Sequence, residues 1–305
     1  MKILVFGGNG MVGSSVVRTL NKNDNYKVIS SSRGDTNLFS FEKTNKTISE
    51  INPDLIINAA AKVGGIIANN TFRSDFILNN LKINMNIIES LKKFPNIKLI
   101  NLGSSCIYPL GAEVPIKESS LMKGPLEPTN SPYAMAKLAA IEMGDALEKE
   151  FGHSIINLMP TNLYGPNDNF SENESHVIPG LIHRMYLAKI NNLDEFLVWG
   201  TGSPLREFLF VDDLAHAISF LIENETKHNL LNVGSNDEIS IADLVLKIKE
   251  VIGYSGEIKF DSSKPDGNPR KLLDSSRIAK LGWKPIVGLD DGLGKTFNWY
   301  KKNVI

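Results

Sequence analysis

Ile3-Leu4-Val5-Phe6-Gly7-Gly8-Asn9-Gly10-Met11-Val12-Gly13 stands almost at the start of the chain, and its reading decides the fold. Four consecutive apolar residues rich in β-branched or aromatic side chains are the pattern of a parallel strand buried on both faces. The glycines after them occupy positions where a tight turn and a close backbone approach to a pyrophosphate leave no room for a side chain. An amphipathic segment, 11–20, follows at once, so the first amides of a helix and its dipole would meet the phosphates. A glycine cluster alone is as good as an ordinary turn. Between a strand and a helix it makes Gly7, Gly8, Asn9, Gly10, Met11, Val12 and Gly13 candidate dinucleotide contacts.

Working outward, short apolar runs at 3–6, 27–30, 55–58, 97–102 and 154–159 alternate with helical periodicity at 11–20, 72–94 and 133–151. Strand, helix, strand in repetition predicts an α/β fold, a Rossmann-type doubly wound parallel sheet. Beyond residue 166 the alternation degrades into a helix at 177–190, a strand at 196–199, then loops and helices to about residue 300. A smaller mixed α/β substrate lobe is expected there. The division read from this is 1–165 with 207–234 for the dinucleotide-binding domain and 166–206 with 235–305 for the lobe, segments 208–222 and 230–233 returning to the main sheet.

Composition narrows the function classes. Lysine plus arginine (33) nearly balances aspartate plus glutamate (34) over 305 residues, which gives no electrostatic reason to expect nucleic acid or an anionic membrane as a partner. An anionic ligand must be met by local cations. The single cysteine, Cys106, cannot form an intrachain disulfide, and Met1 runs into an apolar strand with no signal-peptide pattern, so a cytoplasmic location is expected. No apolar run approaches the length that spans a bilayer. No metal site is read from the sequence.

The second strand bears on which dinucleotide is bound. An NAD site places a carboxylate about 20 residues past the glycines, but here the strand ends in Ser30-Ser31-Ser32-Arg33. Hydroxyls and a guanidinium suit a 2'-phosphate, which predicts NADP(H), unless Arg33 is a solvated loop residue paired with Asp35. Further on, Tyr133 and Lys137 stand four apart, one turn along a helix face. An ammonium there is expected to lower the phenol toward the working range of a proton-transfer catalyst. Upstream, Leu102-Gly103-Ser104-Ser105-Cys106 ends a predicted parallel strand at the carboxyl edge, where Ser104 could donate to a developing oxyanion or merely satisfy a turn.

Glycine loop, strand-end serine and Tyr/Lys helix in this order resemble the extended short-chain dehydrogenase/reductase family. Longer phrases are similar to its GDP-L-fucose synthase branch, the GDP-4-keto-6-deoxy-mannose 3,5-epimerase-4-reductases. They are residues 59–66 with Gly64-Gly65, residues 103–109, residues 124–130, Met159-Pro160-Thr161-Asn162-Leu163-Tyr164-Gly165-Pro166-Asn167-Asp168-Asn169-Phe170, Arg206-Glu207-Phe208, and Pro269-Arg270-Lys271-Leu272-Leu273-Asp274. The resemblance implies a catalytic set of Ser104, Tyr133 and Lys137, Lys137 also holding the nicotinamide ribose. Cys106 and His176 would be base and acid for the two epimerisations. It places Leu102, Gly103, Pro160, Asn162, Leu163 and His176 beside the cofactor as well. It assigns a GDP-sugar to Arg184, Trp199, Arg206, Asp266 and Lys271, although Arg206 could simply pair with Glu207.

Nucleotide-sugar 4,6-dehydratases carry Thr-Asp-Glu where this chain has Ser104-Ser105-Cys106, and a 4-epimerase has no call for a thiol at 106 with an imidazole at 176. Some relatives keep a basic residue in the glycine loop. Asn9 stands there in this chain, leaving the NADP preference on Arg33. The resemblance also implies a homodimer through a four-helix bundle of the 72–94 and 133–151 helices. Two other readings are a 4-reductase of a related GDP-4-keto sugar, such as a heptose, and an NADP-sensing protein without turnover. Retention of Ser104, Tyr133 and Lys137 argues against the sensor.

Overall fold

The computed structural model describes residues 1–171, 174–264 and 266–305. Its first half runs β1 (Lys2–Phe6), α1 (Met11–Leu20), β2 (Lys27–Ser31), α2 (Phe41–Ile51), β3 (Leu55–Asn58), α3 (Ile66–Thr71), α4 (Arg73–Leu91), β4 (Lys98–Leu102), α5 (Ser131–Phe151) and β5 (Ile155–Pro160). The chain continues through β6 (Asn162–Tyr164), α6 (Val177–Ile190), β7 (Glu195–Trp199), β8 (Leu205–Phe210), α7 (Val211–Glu223) and β9 (Leu230–Val233). It closes with β10 (Glu238–Ser240), α8 (Ile241–Ile252), β11 (Glu257–Asp261), β12 (Arg270–Lys271), α9 (Ser276–Leu281) and α10 (Leu289–Asn303).

The main sheet has the order β2-β1-β3-β4-β5-β9, every pair parallel. Winding reverses between β1 and β3, and the crevice at their carboxyl ends is where such sheets take ligands. The apolar run of β1 has a direct cause. Ile3 and Val5 face Val16, Leu20 and Ile218 on one side, while Leu4 and Phe6 face Ile48, Ile83 and Ile87 on the other. All four side chains are fully buried, each contributing roughly 1.5–3 kcal/mol. A polar line crosses the same sheet: Asn58 donates to Asn101 (2.9 Å) and to Asn84 of α4 (3.0 Å), and Asn101 donates to Asn157 (3.2 Å). These buried amides satisfy one another and tie α4 to the strands.

The expectation that segment 208–222 rejoins the main sheet is corrected at its start. Strand β8 lies in a second sheet, β10-β8-β12, with β6 along its other part. Its partners come from three distant segments whose pairing no local pattern encodes. Helix α7 does return, packing on α1, and β9 completes the main sheet beside β5. The lobe core gathers Ile182, Met185, Phe196, Val198, Leu244, Ile248, Phe297 and Tyr300. The parallel pair β7–β11 carries Trp199 at its end.

Candidate active site

The glycine loop has the shape of a phosphate cradle. Gly7 adopts φ +77°, and a Cβ there would stand 2.7 Å from the amide nitrogen of Ala60. At Gly13 a Cβ would fall 2.1 Å from the Gly7 carbonyl oxygen, so α1 starts against the loop only because that atom is missing. Helix α1 has no side-chain cap at Gly10 and no acid in its first turn. Its amides and positive dipole end therefore lie open to an anion, and the residues fit a dinucleotide pyrophosphate. Arg33 is exposed, its guanidinium 5.1 Å over the Phe39 ring. Asp35 accepts instead from the Ser32 amide (2.8 Å) and hydroxyl (2.6 Å), so the alternative pairing of Arg33 with Asp35 is not formed.

At the end of β4 the structure brings together Ser104, Cys106, Tyr133, Lys137 and Lys271. The Ser104 hydroxyl oxygen accepts from the Cys106 amide (3.2 Å), capping the tight turn 105–107, and also shares a hydrogen bond with the Tyr133 hydroxyl. Ser104 therefore satisfies the turn, as the second reading has it, while its hydroxyl also meets that of Tyr133. Lys137 is 2% exposed, and its Nζ donates to the Leu102 carbonyl (2.7 Å). Burial brings its pKa down to about 8. The ammonium stands over the Tyr133 ring, 5.8 Å from its centroid, rather than at the phenolic oxygen.

The expected lowering of Tyr133 by Lys137 is accordingly corrected. Burial pushes the phenol well above its ordinary value, Cys106 adds to the rise, and Ser104 offsets part of it. Tyr133 is held protonated, as a proton donor. Lys271 Nζ lies 3.8 Å from Cys106 Sγ, a contact that sequence reading did not anticipate. No local signal could reveal it, because the two residues are 165 apart.

The remaining candidates form separate groups. His176 is the exposed N-cap residue of α6 with no side-chain cap bond. The side chain is open to solvent yet flanked by protein, and this partial desolvation lowers its pKa. The Gly64-Gly65 phrase has a steric reason, since a Cβ on Gly65 would stand 2.5 Å from the Ser175 carbonyl oxygen and Gly65 N donates to Glu174 O (2.9 Å). That contact sets the approach of the His176 segment.

On the lobe, the Arg184 guanidinium lies 5.7 Å over Trp199, whose 56% exposure rules out a core role. Arg206 donates to its own neighbour's carbonyl, Leu205 O (2.8 Å), and not to Glu207, which is fully buried on the other side of β8. Burial lowers the Arg206 pKa and nearby Asp266 opposes that shift. The Asp266 carboxylate accepts from the Thr201 amide (2.9 Å) and hydroxyl (2.7 Å), bracing the turn after Trp199. Pro160, Asn162 and Leu163 line the carboxyl end of β5 and the start of β6, Asn162 donating to Glu207 O (2.8 Å). Among the described residues there is no group of three or more His, Cys, Asp or Glu side chains placed to hold a metal.

The family model for the NAD dependent epimerase/dehydratase family matches residues 3–234. The chain belongs to that family. The match runs from β1 to the end of β9, so it covers the whole main sheet, while Asp266 and Lys271 lie beyond it. Similarity to individual family members spans those residues too. The probable GDP-L-fucose synthase 1 of Oryza sativa subsp. japonica is 48% identical over 305 residues, covering 100% of this chain and 93% of its own length. A GDP-L-fucose synthetase from Naegleria fowleri bound to NADP superposes with a TM-score of 0.90 at 29% identity, covering 99% of this chain and 94% of its own.

A GDP-6-OMe-4-keto-L-xylo-heptose reductase from C. jejuni superposes with a TM-score of 0.91 at 30% identity, covering 99% and 97%. This epimerase/dehydratase family member is thus strongly homologous to GDP-L-fucose synthases and close to related GDP-sugar reductases. Solved structural relatives bind NADP, in keeping with the fit of the glycine cradle to a dinucleotide. Among the described residues no helix is long and apolar enough to cross a membrane.

Proposed function

We propose that the protein is an NADPH-dependent 3,5-epimerase-4-reductase that converts GDP-4-keto-6-deoxy-D-mannose to GDP-L-fucose. The observation that carries this reading is the thiol of Cys106 in the same cleft as the Ser104–Tyr133 hydroxyl pair and Lys137. Hydride transfer alone needs no thiol; removal of a carbon-bound proton needs a base.

Residues 7–13 and the start of α1 hold the pyrophosphate, Arg33 meets a 2'-phosphate, and Leu102, Gly103, Pro160, Asn162 and Leu163 line the nicotinamide end with Lys137 at the ribose. When bound, NADPH supplies the hydride. Tyr133 gives its phenolic proton to the C4 oxygen while Ser104 donates a hydrogen bond to the same atom. Before reduction, the ketone acidifies C3 and C5. Cys106 takes a proton from one face, His176 returns one on the other, and the Ser104 and Tyr133 hydroxyls hold the enolate oxygen. Arg184 and Arg206 bind the diphosphate, with Trp199 beside the nucleotide and Asp266 at a ribose hydroxyl.

Incubation with GDP-4-keto-6-deoxy-D-mannose in deuterated water, with and without NADPH, tests the reading by NMR. Deuterium enters at C3 and C5 without NADPH, and reduction at C4 follows when it is added. NADPH oxidation with no deuterium at either carbon refutes the epimerase half. That outcome would favour a second reading, a 4-reductase of a GDP-4-keto-heptose, for which the likeness to the heptose reductase speaks. A homodimer through α4 and α5 belongs to the same proposal. These helices pack on each other and leave Leu78, Met85 and Met135 exposed at about half their surface; light scattering at monomer mass would remove it.

A further inference from the structure

We propose that Lys271 is the positioning residue that holds Cys106 as a thiolate, its ammonium serving the sulfur rather than the nucleotide. The inference rests on the reading of Cys106 as the carbon base and adds the group that makes it one. Lys271 Nζ points at Cys106 Sγ across 3.8 Å. Among the described residues Lys271 forms no salt bridge, so no carboxylate neutralises its charge.

The backbone segments under both side chains are tied to one another. Lys271 sits on β12, in parallel register opposite Arg206 of β8. Two residues further on, the Leu273 amide donates to the buried carboxylate of Glu207 (3.1 Å). The segment after the cysteine turn is joined to the same strand: Ile116 N donates to Leu272 O (2.8 Å) and Asp274 N to Ile116 O (2.9 Å). The backbones that carry the cation and the thiol are therefore joined by hydrogen bonds that involve neither side chain, and from them Lys271 Nζ reaches Cys106 Sγ.

Among the described residues, Lys271 is the cation whose ammonium contacts the sulfur. Tyr133 from α5 is a protonated phenol and Ser104 from the cysteine's own turn is a neutral hydroxyl. The Lys137 ammonium donates to Leu102 O and lies over the Tyr133 ring. An opposite charge within about 4–6 Å favours an ionised group. Cys106 S–H releases its proton to solvent and leaves S⁻ beside the ammonium; S⁻ then takes the proton from the sugar carbon, and the C–H electron pair becomes the enolate.

Because Cys106 is the only cysteine among the 305 residues, alkylation of the full-length protein by iodoacetamide, read by intact mass, reports this thiol alone. At about pH 7 the Lys271→Met variant should react at least about fivefold more slowly than the parent, the effect of one unit charge near 4 Å even in a water-like medium. Lys271→Arg should retain most of the rate, and at about pH 10, where solvent ionises thiols unaided, all three rates should converge. An unchanged rate in Lys271→Met at neutral pH overturns the proposal, as does a deficit that persists undiminished at high pH and so reflects access. Should Lys271→Met fail to fold, Lys271→Gln carries the same comparison. The alkylation needs no sugar: a slowed rate together with no deuterium exchange would uphold the Lys271–Cys106 pair and refute the epimerase reading.

Discussion

Replacing Lys137 by methionine should make the cofactor-free protein more stable while removing its reductase activity. The ammonium is 2% exposed, and burial has brought its pKa from 10.5 to about 8. At about 1.4 kcal/mol per decade of proton affinity, that fall corresponds to roughly 3 kcal/mol held against folding at neutral pH. Methionine fills a similar volume without charge, but it leaves the Leu102 carbonyl without its 2.7 Å donor, a loss of roughly 1 kcal/mol. The net gain of roughly 2 kcal/mol should raise Tm by about 3 °C in a chain of this size.

The pH dependence gives the sign. Between about pH 8 and 10.5 the unfolded chain still holds the lysine proton that the folded chain has released, so parent stability rises with pH through that window. The advantage of Lys137→Met is therefore full below about pH 8 and fades above it. Differential scanning fluorimetry of both proteins from about pH 7 to 10 measures this, beside NADPH oxidation, which should fall at least about a hundredfold. A variant that is less stable at pH 7, or whose advantage does not shrink with rising pH, would refute the reasoning.

Gly13→Ala should abolish NADPH binding by titration calorimetry, because its Cβ would sit 2.1 Å from Gly7 O in backbone that cannot yield; retained affinity would mean the loop is not the cradle. Asp168 has a buried carboxylate oxygen with no partner, and burial raises its pKa to about 7 while the Asn169 amide offsets a part. Between about pH 3.8 and 7 the folded chain keeps a proton the unfolded chain has lost, so stability falls as pH rises through that range. Asp168→Asn should thus gain roughly 1–3 kcal/mol at about pH 8 and nothing at about pH 4, measured by urea melts. Trp199→Ala and Arg184→Met should each raise KM for the GDP-sugar about tenfold or more with a smaller change in kcat, as expected for groups that bind the nucleotide away from the reacting carbon.

Sequence and structure agree where the information is local. The apolar run of β1, the 11–20 helix and the strand ending at Leu102 are each specified by a pattern shorter than a dozen residues, and each lies where that pattern predicts. Helix α2 escaped notice because it buries only Thr44 and Ile48, which leaves too narrow an apolar stripe to register. Its one local signal is Ser40, whose hydroxyl accepts from Lys43 N at the N-cap. The second sheet escaped for a different reason. β6, β10 and β12 are two or three residues long and pair with β8 across gaps of about 30 to 65 residues, beyond the reach of any periodicity. The protonation of Tyr133 could not be read at all, since it depends on how completely surrounding elements exclude water.

Arg206 and Glu207 show how strand geometry separates neighbours that a sequence invites one to pair. Successive side chains on β8 point to opposite faces. Glu207 turns inward, where Asn236 N (2.8 Å) and Leu273 N (3.1 Å) donate to its two oxygens and Thr161 adds a side-chain bond. Burial raises its pKa and these donors oppose the rise, so the carboxylate is accommodated without a cation. Arg206 is thereby left on the opposite face with its charge not cancelled by its neighbour, and the Leu273 bond anchors the strand that carries Lys271. One buried acid thus bears on two cations of the candidate site: it leaves Arg206 on the opposite face of β8 and anchors the segment that carries Lys271. The chemistry is therefore divided between the sheets. Ser104, Tyr133 and Lys137 are set by the main sheet and α5, whereas Arg206 and Lys271 are set by β8 and β12.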